Sequence, residues 1–425
     1  MFGAFSLLGR NRDFGLMWAG QGLSVLGSQI ATIALPLYLL RSTGSTVDAG
    51  LAESVMGLSF LAAMLPAGFF ADRLSRRTLM LGSDLGGAAG SAVLGVVIVS
   101  GGQLPFPLLL GLVAASGLVG SVFHPAAAAA LRSVVADRDL GAAIACNQAR
   151  NQVMYLAGPI AGGLLFGVFP GLPFLVDAAS FVVSALAVLA IRAPLGGAAT
   201  EPVDSVRRAL VDMVAGVRFI AGLRFARVSL PIAAMFNAVF AALVLVVIAA
   251  SVRAGDPSVS AGLVVSCAGV GAMLGTLAVP LTQRVATPRT RFLALIWTSA
   301  AAVFAMAFSP NSVSRAVLIG LFSVLVPIGG IAVTTALTLA TPDALQGRVQ
   351  SATSFSALAI TPLGSISAGL LLARLHVAGA LLTFAALLAA AGVAATVDPG
   401  LRAIPDNDPV RGVADARPVD AVRPG

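Results

Sequence analysis

The chain has 425 residues, 58% of them hydrophobic and only 10% charged, with a formal net charge of +8 and a mean hydropathy of +0.97. A soluble domain carries about 25% charged residues, so this chain has too little polar surface to cover a globule in water. The bilayer is its solvent, and its spans must be helices or a closed barrel.

The apolar stretches run to about 18–25 residues without strict alternation, which selects helices over barrel strands. The first, 14–40, is too long for a secretory-signal core and lacks a small-residue cleavage site, so it reads as a retained helix. Further spans fall at 50–70, 78–100, 106–130, 141–167 and 172–191. A second set follows at 228–252, 258–280, 291–308, 315–340, 349–373 and 376–396. The expected architecture is therefore an all-α membrane protein of twelve helices in two six-helix halves, 1–191 and 228–396. Between them, 192–227 reads as a linker. Its part from Asp204 to Leu223 spaces Val206, Leu210, Val211, Val214, Val217 and Phe219 at helical periodicity. Arg207, Arg208, Asp212 and Arg218 supply a polar face, so the pattern predicts an amphipathic surface helix. The tail, 397–425, is rich in Pro, Asp and Arg and reads as disordered.

Every basic side chain apart from the histidines is arginine. Of the 26, 21 fall in one set of alternating loops and termini, four in the other, and Arg150 within a span. Arginine-rich loops are retained in the cytoplasm, so both termini are expected inside a bacterial cell membrane. The same placement in short loops argues against nucleic-acid binding. Cys146 and Cys267 lie in spans of opposite halves and read as buried thiols. With two distant histidines they are too few for a metal site. No Gly-x-x-x-x-Gly-Lys motif is present, so direct nucleotide coupling is not expected.

The halves echo each other. Gly50-Leu51-x-x-Ser54-x-x-Gly57 matches Gly262-Leu263-x-x-Ser266-x-x-Gly269, and Gly163-Leu164-Leu165 matches Gly369-Leu370-Leu371. Such matches point to a parallel repeat.

Between the second and third spans lies Gly68-Phe69-Phe70-Ala71-Asp72-Arg73-Leu74-Ser75-Arg76-Arg77. This pattern resembles the loop between helices 2 and 3 of major facilitator superfamily transporters, with Ser75 where the family usually has glycine. The resemblance implies that Gly68, Asp72, Arg73, Arg76 and Arg77 form a cytoplasmic gate motif, with Asp72 and Arg73 latching the two halves. Gly158-Pro159-Ile160-Ala161-Gly162-Gly163 resembles the core of the span-5 motif of exporters in that superfamily, although Met154 replaces an upstream glycine. Phe123-x-Pro125-Ala126, Asp177-Ala178-x-Ser180-Phe181, Gly269-x-Gly271-x-x-x-Gly275 and Gly347-Arg348-Val349 resemble the branch containing macrolide efflux pumps and the enterobactin exporter. Two departures stand out. Gly87 replaces an arginine common in the family, and span 4 lacks the basic residue of proton-coupled drug exporters.

Ionisable residues inside spans are costly and face protein or water-filled cavities. Glu53, Asp84, Arg150 and Asp177 are therefore the proton-coupling candidates, and all lie in the first half. Asp84 and Arg150 sit at comparable depth, and Asp84 is expected to be a structural partner of Arg150 or of the turn arginines. His124, before Pro125, reads as a packing or helix-distorting site. Gln21, Ser24 and Ser28 on span 1, Asn147 and Asn151 on span 5, and Phe236 and Phe240 on span 7 are expected to line a cavity. Phe60, Met64, Met273, Phe304, Phe322 and Phe355 would add an apolar lining for an amphiphilic molecule.

The expected protein is a monomeric, non-enzymatic secondary transporter that exports a small organic molecule (drug, antibiotic or siderophore-like). It would need no cofactor and would draw on a proton gradient. Its competitors are a nutrient importer on the same fold and a non-transporting membrane receptor or assembly partner.

Overall fold

The computed structural model describes the backbone of residues 7–195, 206–342 and 345–403, and the side chains of these except 65–73, 206–213 and 402–403. Among them the regular structure is helical, without strands. The helices of the first bundle are α1 (Arg12–Ser42), α2 (Thr46–Arg73), α3 (Arg76–Val99), α4 (Phe106–Val134), α5 (Asp137–Val168) and α6 (Leu172–Ala190). A linker helix, α7 (Val206–Gly222), precedes α8 (Arg224–Arg253), α9 (Val259–Val285), α10 (Pro288–Ala307), α11 (Ser312–Ala340), α12 (Gln346–Ala359), α13 (Thr361–Arg374) and α14 (Val377–Val397).

Eleven spans among the described residues are long and apolar enough to cross a bilayer, with Gln346–Arg374 counted as one. The twelfth is α5. It has 32 residues, but Asp137, Arg138, Asp139 and Arg150 dilute its apolar character. The eleventh expected span, 349–373, is a broken helix. α12 stops at Ala359 and α13 restarts at Thr361, with Pro362 in its first turn. Proline lacks the N–H that would continue the ladder but suits a helix start.

Local chemistry sets the boundaries. Asn11 accepts from the Phe14 N–H at 3.0 Å to cap α1, and its amide donates to the Val134 carbonyl at 2.8 Å. Ser75 caps α3 by accepting from the Thr78 N–H at 3.0 Å. The residue that departs from the family glycine thus replaces turn flexibility with a cap. Gly44 and Gly255, at φ +68° and +73°, make the α1–α2 and α8–α9 turns, where the left-handed backbone favours glycine.

The two bundles pack in the same cyclic order. In the first, helices neighbour one another as α5–α1–α6–α3–α4–α2; in the second, as α12/α13–α8–α14–α10–α11–α9. The two rings meet where α2 lies on α13 and where α5 lies on α9. One end of the molecule, called here the arginine-rich end, carries Arg76, Arg77, Arg132, Arg138 and Arg192. The other is the far end. α7 docks on α12, with Gly216 against the Arg348 backbone and 3.1 Å between the position of a Cβ and Ala352. Val214 and Val217 of α7 remain exposed.

Candidate functional site

Two helix-on-helix seams join the bundles, and they are copies of each other. Each runs from the far end to about mid-span. In the first, Gly50 lies against the Ser365 carbonyl and Gly57 against Pro362. Ser54 donates to the Pro362 carbonyl at 2.7 Å, and Thr46 to the Gly369 carbonyl at 3.0 Å. In the second, Gly262 lies against the Pro159 carbonyl and Gly269 against Leu156. Ser266 donates to the Leu156 carbonyl at 2.7 Å. Gly369 sits over the Thr46 carbonyl and Gly163 over that of Ser258, where a Cβ would meet oxygen at 2.6 and 2.7 Å. The two sequence repeats are therefore the two seams: small residues admit backbone to backbone, and a serine bonds across.

The span-5 motif is part of this closure. Gly158 and Gly162 admit Gln29 and Ile30 of α1, while Pro159 and Gly163 face α9. α5 is thus wedged between its own bundle and the other.

One residue breaks the symmetry. Glu53 occupies the register that Val265 occupies in the second seam. It is half-buried, and its carboxylate faces the Ser365 hydroxyl of α13.

The other two acids lie inside the first bundle. Asp177 of α6 is buried and accepts from Ser91 of α3 at 2.6 Å and from Ser28 of α1 at 3.3 Å. Asp84 of α3 is completely buried, and the Ser184 hydroxyl of α6 faces its carboxylate. Arg150 does not pair with Asp84. Its guanidinium donates to the Trp18 carbonyl at 2.8 Å, to Asn151 at 3.0 and 3.1 Å, and to Gln21 at 3.5 Å, and lies 5.9 Å from the Trp18 ring centroid. The reason is positional: α3 packs on α6 and α4, whereas α5 packs on α1.

Several expected cavity residues are elsewhere. Gln21 and Ser24 are buried, and Ser28 is held by Asp177, so this stripe serves the interior of the first bundle. Phe236 is buried and stacks on buried Phe322 at 5.7 Å, with half-buried Phe240 at 6.3 Å from the same ring. Phe304 is exposed, with its ring centroid 5.1 Å from that of Phe308. Asn147 is half-buried, with its Oδ1 buried and unpartnered. At the arginine-rich end a cavity of about 290 Å³ opens between α11 and α12, lined by Thr334, Thr338, Thr341, Gln350 and Thr353 among others.

Of the gate motif, Gly68, Asp72 and Arg73 lie outside the described side chains. Arg76 donates to Ser133 at 2.7 Å, at the end of α4, and Arg77 to the Ile191 and Ala193 carbonyls beyond α6. Both arginines therefore bind within the first bundle here, not to the second. Sequence reasoning missed Ser365, Pro362, Ser91 and Ser184. The glycine–serine repeat was the one available pointer to a shared seam.

This ring order, broken eleventh span and pair of repeat-related seams define a two-bundle membrane transporter. The chain belongs to the Major Facilitator Superfamily, whose family model matches residues 17–368. It is similar to the multidrug efflux pump Tap of Mycolicibacterium fortuitum, at 28% identity over 88% of this chain and 93% of that one. It is also similar to macrolide efflux protein A of Streptococcus pyogenes, at 29% identity over 45% of this chain, a match spanning about half (47%) of that protein. Its fold resembles that of a bacterial homologue of the iron transporter ferroportin, with a TM-score of 0.68 at 16% identity, covering 91% of this chain and 99% of that one. The protein is thus a membrane transporter with efflux-pump relatives, not an enzyme.

Proposed function

We propose that this transporter exports small amphiphilic organic molecules, drugs or antibiotics among them, across a bacterial cell membrane by proton antiport. The arginine-rich end is cytoplasmic in this reading, so the closed seams face outward and the conformation is inward-facing. The carrying observation is the asymmetry of the seams: a carboxylate stands in one, at Glu53, where the repeat has Val265. Opening the outer side separates α2 from α13 and exposes Glu53 to external water. Access of one protonatable group is thereby tied to the gate, which antiport requires. The likeness to efflux pumps supports the outward direction, and the uncharged threonine- and glutamine-lined cavity on the inner side suits neutral or weakly polar cargo.

The test is uptake of a labelled panel, macrolides included, into inverted vesicles holding an acidic interior. Wild type is expected to concentrate at least one compound and to lose this when the pH gradient is collapsed. Glu53→Gln is expected to lose gradient-driven uptake while exchange without a gradient persists, because the amide cannot release a proton but leaves the seam able to open. Concentrative uptake only in right-side-out vesicles, or none with any compound, would overturn the reading.

A further inference from the structure

At the arginine-rich end of the first bundle, three stretches far apart in sequence enclose a cleft of about 540 Å³. They are the start of α1, the turn from α4 into α5, and the exit of α6. Hydrogen bonds fix each to the next. Asn11 donates to the Val134 carbonyl at 2.8 Å, and Asp13 accepts from the Ala193 and Arg192 amides at 2.8 and 3.2 Å. From the other side, Arg77 donates to the Ile191 and Ala193 carbonyls. The backbone around Arg192 is therefore held, while its side chain stays exposed.

Four arginines line this cleft: Arg10, Arg12, Arg138 and Arg192. All four are exposed. Two acids stand among them. One oxygen of Asp13 is taken up by the two amides, and Asp139 lies 3.6 Å from Arg138 in a loose ion pair. The guanidiniums of Arg10, Arg12 and Arg192 meet no hydrogen-bond or ion-pair partner among the described residues. Like charges gathered on a fixed frame repel one another, and an anion placed among them turns that repulsion into binding. A guanidinium matches a phosphate in shape, because its fork reaches two oxygens at once.

The wall beside the cleft selects the source of that phosphate. α6 packs mainly on α1 and α3. Its remaining face carries Val182, Val183, Leu186 and Leu189, all exposed. Val182, Leu186 and Leu189 recur at helical spacing and lead toward Arg192, two residues beyond the end of the helix at Ala190. At 1.5 Å per residue, this stripe runs about 12 Å below the charged cleft. An acyl chain lying on it brings its phosphate to Arg192, whereas a soluble phosphate makes no use of it.

We propose that this cleft binds the phosphate of an anionic glycerophospholipid, such as phosphatidylglycerol, in the leaflet at the arginine-rich end. The phosphodiester lies among Arg10, Arg12 and Arg192, and an acyl chain follows Val182, Leu186 and Leu189 of α6. Arg192 is where the chain leaves the first bundle for the linker. A bound headgroup therefore fixes that exit at the membrane surface and joins the starts of α1 and α5 to it. The site belongs wholly to the first bundle, apart from the seams, and depends on neither the cargo nor the direction of transport.

Full-length protein stripped of lipid in detergent tests this by native mass spectrometry and thermal unfolding. Phosphatidylglycerol is expected to bind and to raise the unfolding temperature. Phosphatidylcholine, which carries the same phosphate without net charge, should bind far more weakly. Inorganic phosphate and glycerol 3-phosphate are the soluble arms and should give no stabilisation at concentrations where the lipid saturates. Arg12→Gln with Arg192→Gln should weaken phosphatidylglycerol binding about 25-fold, about five-fold for each charge removed. Arg132→Gln with Arg284→Gln removes two exposed arginines at the same end but outside the cleft, and should leave binding near wild type. Equal weakening by the two pairs would mean diffuse attraction to the surface and would overturn the site. Stabilisation by either soluble phosphate to the extent given by the lipid would overturn the lipid assignment. No binding of phosphatidylglycerol, or equal binding of phosphatidylcholine, would overturn the proposal outright. Should Arg192→Gln disturb the exit of α6, Arg10→Gln with Arg138→Gln takes its place, where the same loss is expected and unchanged binding overturns the site.

Discussion

Adding one methyl group to each seam should drive the transporter toward a state open at the far end. At Gly50 a Cβ would overlap the Ser365 carbonyl oxygen, and at Gly262 that of Pro159. Both obstacles are backbone, so no rotamer change relieves them; the helices must move apart. Overpacking of this kind costs about 1–3 kcal/mol, which corresponds to about a 5- to 150-fold shift between two conformations. Alanine also stabilises a helix by about 1 kcal/mol over glycine, but α2 and α9 are helical in both states, so that gain cancels in the gate equilibrium. Spin labels at Thr43→Cys and Leu375→Cys, exposed positions on opposite bundles at the far end, would read the separation by pulsed electron resonance in a background without Cys146 and Cys267. Gly50→Ala and Gly262→Ala should each raise the long-distance population, and the pair together should raise it further. Gly111→Ala, with nothing within 4 Å of the added Cβ, is the control and should change nothing. A distance distribution identical to wild type in well-folded Gly50→Ala and Gly262→Ala would refute the seam as gate.

Ser54→Ala and Ser266→Ala each remove one hydrogen bond across a seam; in a bilayer such bonds are worth about 0.6 kcal/mol, so the same distance measurement should show a shift of about three-fold per serine. Gly87→Arg, which restores the arginine common in the family, should lower the unfolding temperature because the Phe181 ring occupies that space; Phe181→Ala in the same chain should recover part of the loss, and no recovery would refute the steric account. For orientation, single cysteines at Gln283 and Gln103, both exposed and at opposite ends, should react differently with an impermeant thiol reagent on intact cells, Gln103→Cys labelling and Gln283→Cys remaining protected; the reverse pattern would invert the topology.

Composition and hydropathy alone determined the class of protein, because a chain this poor in charge can satisfy its backbone in lipid only as helices or a closed barrel, and long apolar runs without alternation select helices. The span count followed from the same constraint, since each crossing needs its own apolar stretch. The family motif at Gly158–Gly163 was readable because close helix approach admits few residue types. The break in the eleventh span was also visible in principle, at Pro362. What sequence could not decide was partnership across helices. Asp84 and Arg150 share a depth, but depth is one coordinate, and the ring order of the bundle places them on α3 and α5, each facing other neighbours. Gln21, Ser24 and Ser28 form a polar stripe on any helical wheel, yet only the position of α6 decides that the stripe meets Asp177. The glycine–serine repeat was legible as a repeat, whereas its meaning required two helices from opposite halves to be brought within contact. Periodicity specifies which face of a helix differs from the others; what that face touches depends on packing contributed by residues a hundred or more positions away.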